Sequence, residues 1–142
     1  MPKLLAFLPC QSVVPGAKHD WSLIGLFSGL TVPVQANSQM PLDTLMPIEW
    51  AAVTVWKPIH GDEGRDFIQY MRLRRADDVE IRTQAFPPFR FDGRKPYRIV
   101  SRMKGMPIAI AGWVSLEVWL ESGTSAATEQ HVYPIAIAHQ IQ

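Results

Sequence analysis

The chain has 142 residues, 47% of them hydrophobic and 19% charged, and a formal net charge of +1. This length is enough to bury one hydrophobic core, so we expect a single domain over residues 1–142. The composition lacks the basic footprint of most nucleic-acid binders, no apolar run reaches the roughly 20 residues of a membrane-spanning helix, and a lone cysteine leaves no intrachain disulfide.

The first apolar segment, Leu4 to Cys10, is either the end of a lipoprotein signal or the first strand of a domain. A signal needs an apolar segment of about 7 to 15 residues and a small residue before the cleavage point. Here the apolar run is shorter, Pro9 stands at the position of the small residue, and strand-like residues continue beyond Cys10. We therefore interpret residues 4–14 as a strand and expect a cytoplasmic protein.

The next long apolar segment, Ile48 to Trp56, is apolar on both faces, which is typical of a strand that is covered on both sides or lies in an interface. The segment FIQYMRLRR that follows it alternates with a period of two, as a half-buried strand does. One face carries Phe67, Met71 and Leu73, and the other carries Ile68, Tyr70, Arg72 and Arg74.

Further segments are predicted to be strands by the same alternation. In VEIRTQAF we expect Val79, Ile81 and Ala85 to point inward. In YRIVSRM we expect the same of Tyr97, Ile99 and Met103. In WVSLEVWLE one face comprises Val114, Leu116, Val118 and Leu120, and the other comprises Trp113, Ser115, Glu117, Trp119 and Glu121. In HVYPIAIAHQI, Pro134 has no amide hydrogen for a ladder and therefore predicts a sheet edge or a bulge.

About eight short strands with turn signals between them predict an all-β fold. We expect an antiparallel sandwich of two sheets, because strands with one apolar face and strands with two suit stacked sheets better than a closed barrel, which is the alternative. Little helix is expected, at most a turn or two within SQMPLDTL or TSAATEQ.

Two segments resemble signatures of an uncharacterised family of small bacterial proteins, a domain of unknown function. They are SLIGLF, Ser22 to Phe27, and AGWVSLEV, Ala111 to Val118. The resemblance covers most of the chain and implies an immunoglobulin-like or C2-like β-sandwich. The chain departs from the pattern at residues 28–30, where a charged residue is common. The family brings no activity with it, so the resemblance informs fold alone.

No combination of side chains in the sequence predicts catalysis. The histidines His19, His60, His131 and His139 match no common zinc spacing. His60 stands beside two carboxylates in HGDEG, which we interpret as a solvated turn rather than a metal site. No nucleophile elbow or phosphate loop is present, and Cys10 is interpreted as an inert core thiol. We therefore expect no enzyme, no metal and no cofactor.

The tryptophans predict a protein-interaction surface. Trp113 and Trp119 stand on the polar face of their strand, and aromatic side chains are enriched at interfaces. We expect a module that associates with itself, most simply as a homodimer, with Trp50 and Trp56 as the next interface candidates. The alternative is that the loop segment FPPFRF covers the tryptophans within one chain.

A second binding hypothesis concerns the basic middle of the chain. Residues 57–104 hold 12 of the 14 lysines and arginines against 7 acids, so this segment carries +5 and the remainder −4. Arg72 and Arg74 lie on one predicted strand, and Arg98 and Arg102 on another. If these two strands were neighbours, the four arginines could hold an anion or a nucleic acid. We expect ordinary solvated surface and no nucleic acid. Carbohydrate binding through Trp113, Trp119 and Tyr133 ranks below both hypotheses.

Overall fold

Ten β-strands make up the regular structure of the protein in a computed structural model, which describes residues 1–15, 21–26, 28–36, 39–123 and 125–142. The strands are β1 Lys3–Pro15, β2 Trp21–Leu26, β3 Gly29–Val34, β4 Leu45–Lys57, β5 Ile68–Arg74, β6 Glu80–Ala85, β7 Tyr97–Pro107, β8 Gly112–Ser122, β9 Ser125–Ala126 and β10 His131–Ile141. The predicted all-β class is confirmed, with two strands more than expected. His19 and Phe27 lie outside the described residues.

No described residue is helical, including those within the two segments where short helices were allowed. Turns occupy 42–43 in the first segment, and β9 lies in the second. It follows that no helix in the described part of the chain has the length and hydropathy needed to cross a bilayer.

The strands form two sheets. The four-stranded sheet has the order β2-β1-β4-β7, and the six-stranded sheet has the order β3-β10-β8-β5-β6, with β9 paired to β8. Every pair is antiparallel except β3 with β10, which run parallel, so the all-antiparallel expectation is wrong at that edge. The reason is connectivity: β3 lies in the opposite sheet from β2 and β4, and a strand reached by a crossover is not bound to the antiparallel pairing of a hairpin.

The two sheets pack face to face around one main core. Strand β4 contributes Trp50 and Trp56, which are 2% and 0% exposed. From the six-stranded sheet the core receives Met71, Leu73, Val114, Leu116, Val118, Leu120, Ile135 and Ile137. The inward faces predicted for β5 and β8 are thereby confirmed.

The inward face predicted for β6 is wrong. Val79, which precedes the strand, is 46% exposed, Ala85 is exposed and Ile81 is half-buried. In register, Ala85 lies opposite Tyr70 on the outer face of β5, so the residues of the other parity are the ones that point inward. The face predicted for β7 holds in part. Met103 is buried and Ile99 half-buried, whereas Tyr97 lies at the surface and stacks on Phe89 with ring centroids 4.2 Å apart.

Strand β4 is covered on both sides, as its sequence predicts. On the side away from the main core, a second cluster joins Cys10, Val13, Ala51 and Val53. Cys10 lies in β1, pairs with Ala51 in register and has no exposed surface. The strand interpretation of the first segment is thereby confirmed.

Pro134 lies inside β10, which has a neighbour on each side, but the two neighbours cover different halves of it. Strand β8 pairs with His131 to Ile137, and β3 pairs only from Ala136 onward. Pro134 therefore lies where β10 is a local edge, and its missing amide hydrogen interrupts no ladder.

A buried polar contact joins the two sheets across the core. The side-chain oxygen of Gln69, in β5 of the six-stranded sheet, accepts a hydrogen bond from the Thr54 hydroxyl at 2.7 Å and one from the Trp56 indole N–H at 2.7 Å. Both donors lie in β4 of the other sheet, and all three residues are fully buried. Because an indole nitrogen only donates, the amide of Gln69 must turn its oxygen toward Trp56.

We expect a double-mutant cycle to detect this contact. The cost of Gln69→Leu in free energy of unfolding should be about 2 kcal/mol greater in the wild type than in a Thr54→Val, Trp56→Phe background, since two buried donors lose their acceptor only in the former. Urea denaturation measures all four proteins. The cycle is needed because the amide nitrogen of Gln69 has no hydrogen-bond partner among the described residues, so its removal is itself favourable. An equal cost in both backgrounds would contradict the prediction.

Candidate functional site

The four tryptophans proposed as interface residues have different surroundings. Trp50 and Trp56 lie in the main core, so neither offers surface to a partner. Trp119 is 8% exposed, whereas Trp113 is 62% exposed. Of these four, Trp113 alone offers a large apolar surface.

Trp119 is covered by its neighbours on the outer face of the six-stranded sheet. The ring of Tyr70, directly opposite it in β5, stacks nearly parallel with centroids 5.7 Å apart. The guanidinium of Arg72 lies 4.9 Å from the indole centroid, a cation–π distance. The indole N–H donates to Glu121 at 3.2 Å. Trp119, although it stands on the polar face of its strand, is therefore covered by side chains of its own chain.

The FPPFRF segment does not cover either outward tryptophan. Its Phe89 and Phe91 are each 6% exposed and pack with Phe67 in the main core, where the three rings lie 5.4 to 6.0 Å apart. A backbone bridge between Phe67 and Phe89 holds the segment there. The alternative proposed for this segment is therefore wrong, and Trp113 stays open.

Two of the four arginines proposed for anion binding are already paired. Glu117, in β8 between them, accepts hydrogen bonds from Arg72 at 2.7 and 3.2 Å and from Arg74 at 2.7 Å. Its carboxylate is buried. Burial alone would raise the pKa of Glu117, but the hydrogen bonds and charges of Arg72 and Arg74 outweigh it and hold the pKa below its ordinary value.

The other two arginines, Arg98 and Arg102, lie on β7 in the four-stranded sheet. Strands β5 and β7 belong to different sheets, so the structure does not bring the four arginines into one site. The condition on which the combined nucleic-acid site depended is thus not met. Sequence alternation gives the face of a strand but not the sheet that it joins.

The histidines assemble no metal site among the described residues, where no three potential metal-ligating side chains cluster. In HGDEG, Asp62 is buried and accepts a hydrogen bond from the amide of Ile59 at 2.8 Å, while its own amide donates to the Ile59 carbonyl at 3.1 Å. The carboxylate thus closes a turn, which accounts for the acidic residue in this segment.

An apolar surface surrounds Trp113 on the outer face of the six-stranded sheet. Because Ile135 and Ile137 of β10 point inward, the alternate residues of that strand point outward. We call the exposed or half-buried set the Trp113 surface; it comprises Thr31, Trp113, Val132, Pro134, Ala136 and Ala138. Ala136 lies directly opposite Trp113 in register, and Val132 is 56% exposed. The alternation in HVYPIAIAHQI was the signal for this set, and it was missed.

No known protein family matches this chain, and a comparison with curated proteins found no match. Function is therefore inferred from the surfaces themselves. The resemblance of SLIGLF and AGWVSLEV to a bacterial family remains an expectation about fold.

The pairing of Glu117 predicts an acid-sensitive contribution to stability. A carboxyl group whose folded pKa is depressed stabilises the fold above its unfolded pKa, and the contribution is lost as the pH falls through the folded pKa. We therefore expect the free-energy difference between wild type and Glu117→Gln to be largest near neutral pH and to shrink below the ordinary value of 4.5. Urea denaturation at a series of pH values measures it.

Arg74→Gln is the graded control, because it removes one of the two partners of Glu117 and leaves the carboxylate. Its pH dependence should lie between those of wild type and Glu117→Gln. Stability curves that run parallel for wild type and Glu117→Gln throughout the acid range would refute the assigned role.

Proposed function

We propose that the protein is a cytoplasmic, non-enzymatic interaction module that forms a homodimer through the Trp113 surface. The observation that carries this proposal is the 62% exposure of Trp113 on a sheet face whose adjacent strand presents small and apolar side chains. Two sheets packed face to face also suit the immunoglobulin-like or C2-like type of sandwich that we expect from the resemblance, a type in which flat sheet faces are available for packing.

The exposed area of Trp113 supports a contact of useful strength. A tryptophan buries roughly 150 to 250 Å² when covered, so the exposed part offers on the order of 100 Å² or more. At about 25 cal/mol per Å² the indole is worth roughly 3 kcal/mol per copy. A two-fold dimer uses the contact twice, which reaches the lower end of the association cost of about 4 to 15 kcal/mol. The surrounding side chains supply the remainder.

The neighbours of Trp113 have the size that sheet packing requires. Ala136 and Ala138 are short, and Pro134 leaves no free amide on this part of β10. Sheets pack face to face at about 10 Å when their facing side chains interdigitate. The large indole of each copy can therefore fit between the short side chains of the other copy.

The polar half of the same sheet face forms a natural border. Glu117 and the two arginines paired to it lie on β8 and β5, adjacent to the apolar half on β10. Since these charges already satisfy one another, they need no partner from a second molecule. This arrangement of an apolar centre beside a polar rim is usual at protein interfaces.

We expect sedimentation velocity to show a dimer for the wild type at tens of micromolar and a monomer for Trp113→Ser. Ala136→Glu, which places a charge opposite Trp113 in register, should have the same effect because it would bury an unpaired carboxylate. Val79→Ser is the matched control, since it removes another exposed apolar side chain, 46% accessible, from the turn before β6, outside the surface.

A wild type that stays monomeric over this range would overturn the proposal. A dimer that persists in both Trp113→Ser and Ala136→Glu would place the interface elsewhere and overturn it equally. Circular dichroism of each variant establishes that the comparison is made between folded proteins.

A further inference from the structure

A cleft of about 490 Å³ opens where β1, β4, β6 and β7 approach one another, away from the Trp113 surface. Its wall carries three cationic side chains, Arg82, Arg102 and Lys104, and one acidic side chain, Glu49. All four side chains are exposed, so their charged groups are open to a ligand. With two positive charges in excess, the cleft favours an anion.

Two of the three cations have no carboxylate partner among the described residues. Lys104 forms an ion pair with Glu49 at 3.6 Å. Arg82 donates to the backbone carbonyl of Lys104 at 3.2 Å, a bond that leaves its charge uncompensated. Arg102 makes no hydrogen bond or ion pair with a described residue, although its charge acts on the nearby Cys10 and partly offsets the rise that burial imposes on the pKa of that thiol. Five of the other arginines of the middle segment form ion pairs with acids: Arg65, Arg72, Arg74, Arg75 and Arg90.

The position of Arg82 follows from sheet topology. It lies on β6, the edge of the six-stranded sheet, while Arg102 lies on β7, the edge of the four-stranded sheet. The hydrogen bond to the carbonyl of Lys104 crosses from one sheet to the other and holds the guanidinium of Arg82 at the cleft. The remaining N–H groups of both guanidinium groups suit the oxygen atoms of a phosphate or carboxylate.

Gly25 helps to shape the opposite wall, which Gln11 lines. Gly25 has φ +66°, and a Cβ placed on it would lie 2.8 Å from the side-chain amide of Gln11. The left-handed backbone favours glycine, and the absence of a Cβ leaves room for the Gln11 side chain to lie over it. The glycine of the SLIGLF segment thus has a role in keeping a neutral hydrogen-bonding side chain at the cleft.

The cleft also offers apolar contacts. Trp50, Ala51 and Met103 line it, and the indole N–H of Trp50 is already bonded to the carbonyl of Gly105 at 2.9 Å. These side chains are 2%, 2% and 7% exposed, so they form a closed apolar floor that a ligand can touch over a small area only. The volume falls within the range of clefts that hold small organic molecules.

We propose that this cleft binds a small organic dianion, with Arg82 and Arg102 holding the anionic group above the apolar floor. A phosphate monoester has the matching charge, since it carries between 1.5 and about 2 negative charges near neutral pH. The site is separate from the Trp113 surface, so it stands or fails independently of the homodimer.

The test is a titration of the full chain with phenyl phosphate, followed by amide chemical shifts. Saturable shifts are expected at the cleft residues, and binding should weaken as NaCl rises from about 0.05 to about 0.5 M. Phthalate distinguishes a dicarboxylate from a phosphate as the dianion, and benzyl alcohol tests the apolar part alone. Arg82→Gln with Arg102→Gln should weaken binding of phenyl phosphate at least about tenfold, because both charge-assisted contacts are lost.

Two further variants make the result specific. Glu49→Gln should tighten binding severalfold, since it removes the one carboxylate at the cleft. Arg98→Gln, which changes a charge on the same strand outside the cleft, should leave the affinity unchanged. Absence of saturable shifts at about 10 mM phenyl phosphate, a scatter of shifts over all basic residues, or equal weakening by Arg98→Gln would overturn the proposal. Should the double variant fail to fold, a failure of Glu49→Gln to tighten binding decides against it.

Discussion

The shared oxygen of Gln69 is the contact on which the arrangement of the two sheets depends. Trp56 is fully buried, and its indole N–H requires an acceptor in the interior. Gln69 supplies that acceptor from the opposite sheet and accepts from Thr54 as well. A slip of either strand by one residue would turn the donors and the acceptor to opposite faces. The contact therefore fixes which side chains of β4 and β5 face outward.

Once these faces are fixed, the exposure of a side chain on the outer side of the six-stranded sheet depends on its neighbours rather than on its residue type. Trp113 and Trp119 stand on the same face of the same strand, six residues apart in the sequence. Trp119 lies opposite Tyr70 and beneath Arg72, so it is covered. Trp113 lies opposite Ala136, which is too small to cover an indole. The same type of side chain is thus covered at one position and exposed at the other.

The sequence predicted what depends on alternation along one strand and missed what depends on the partner strand. The inward faces of β5 and β8, and the double coverage of Ile48 to Trp56, follow from local patterns and were confirmed. The inward set of β6 failed because its face depends on the register with β5, which places Ala85 opposite the outward Tyr70. Gln69 was not predicted as a buried bridge, since its partners lie 13 and 15 residues away in the other sheet. Nothing local to Arg82 indicated the cleft, which arises only where two sheet edges meet.

Sheet topology also determines which positive charges of the middle segment lie beside a carboxylate and which do not. On the six-stranded sheet, the buried carboxylate of Glu117 lies between Arg72 and Arg74, and Glu80 lies 3.9 Å from Arg72. Two carboxylates thus offset the two arginines, which leaves little attraction for a ligand. On the edge of the four-stranded sheet, Arg102 faces no carboxylate, and Glu49 is bound to Lys104. A uniform basic strip would attract any polyanion, and its field would extend over the whole surface. The pairing on the six-stranded sheet and the lack of a carboxylate partner for Arg82 and Arg102 therefore make the cleft the stronger of these two surfaces in attracting a small anion.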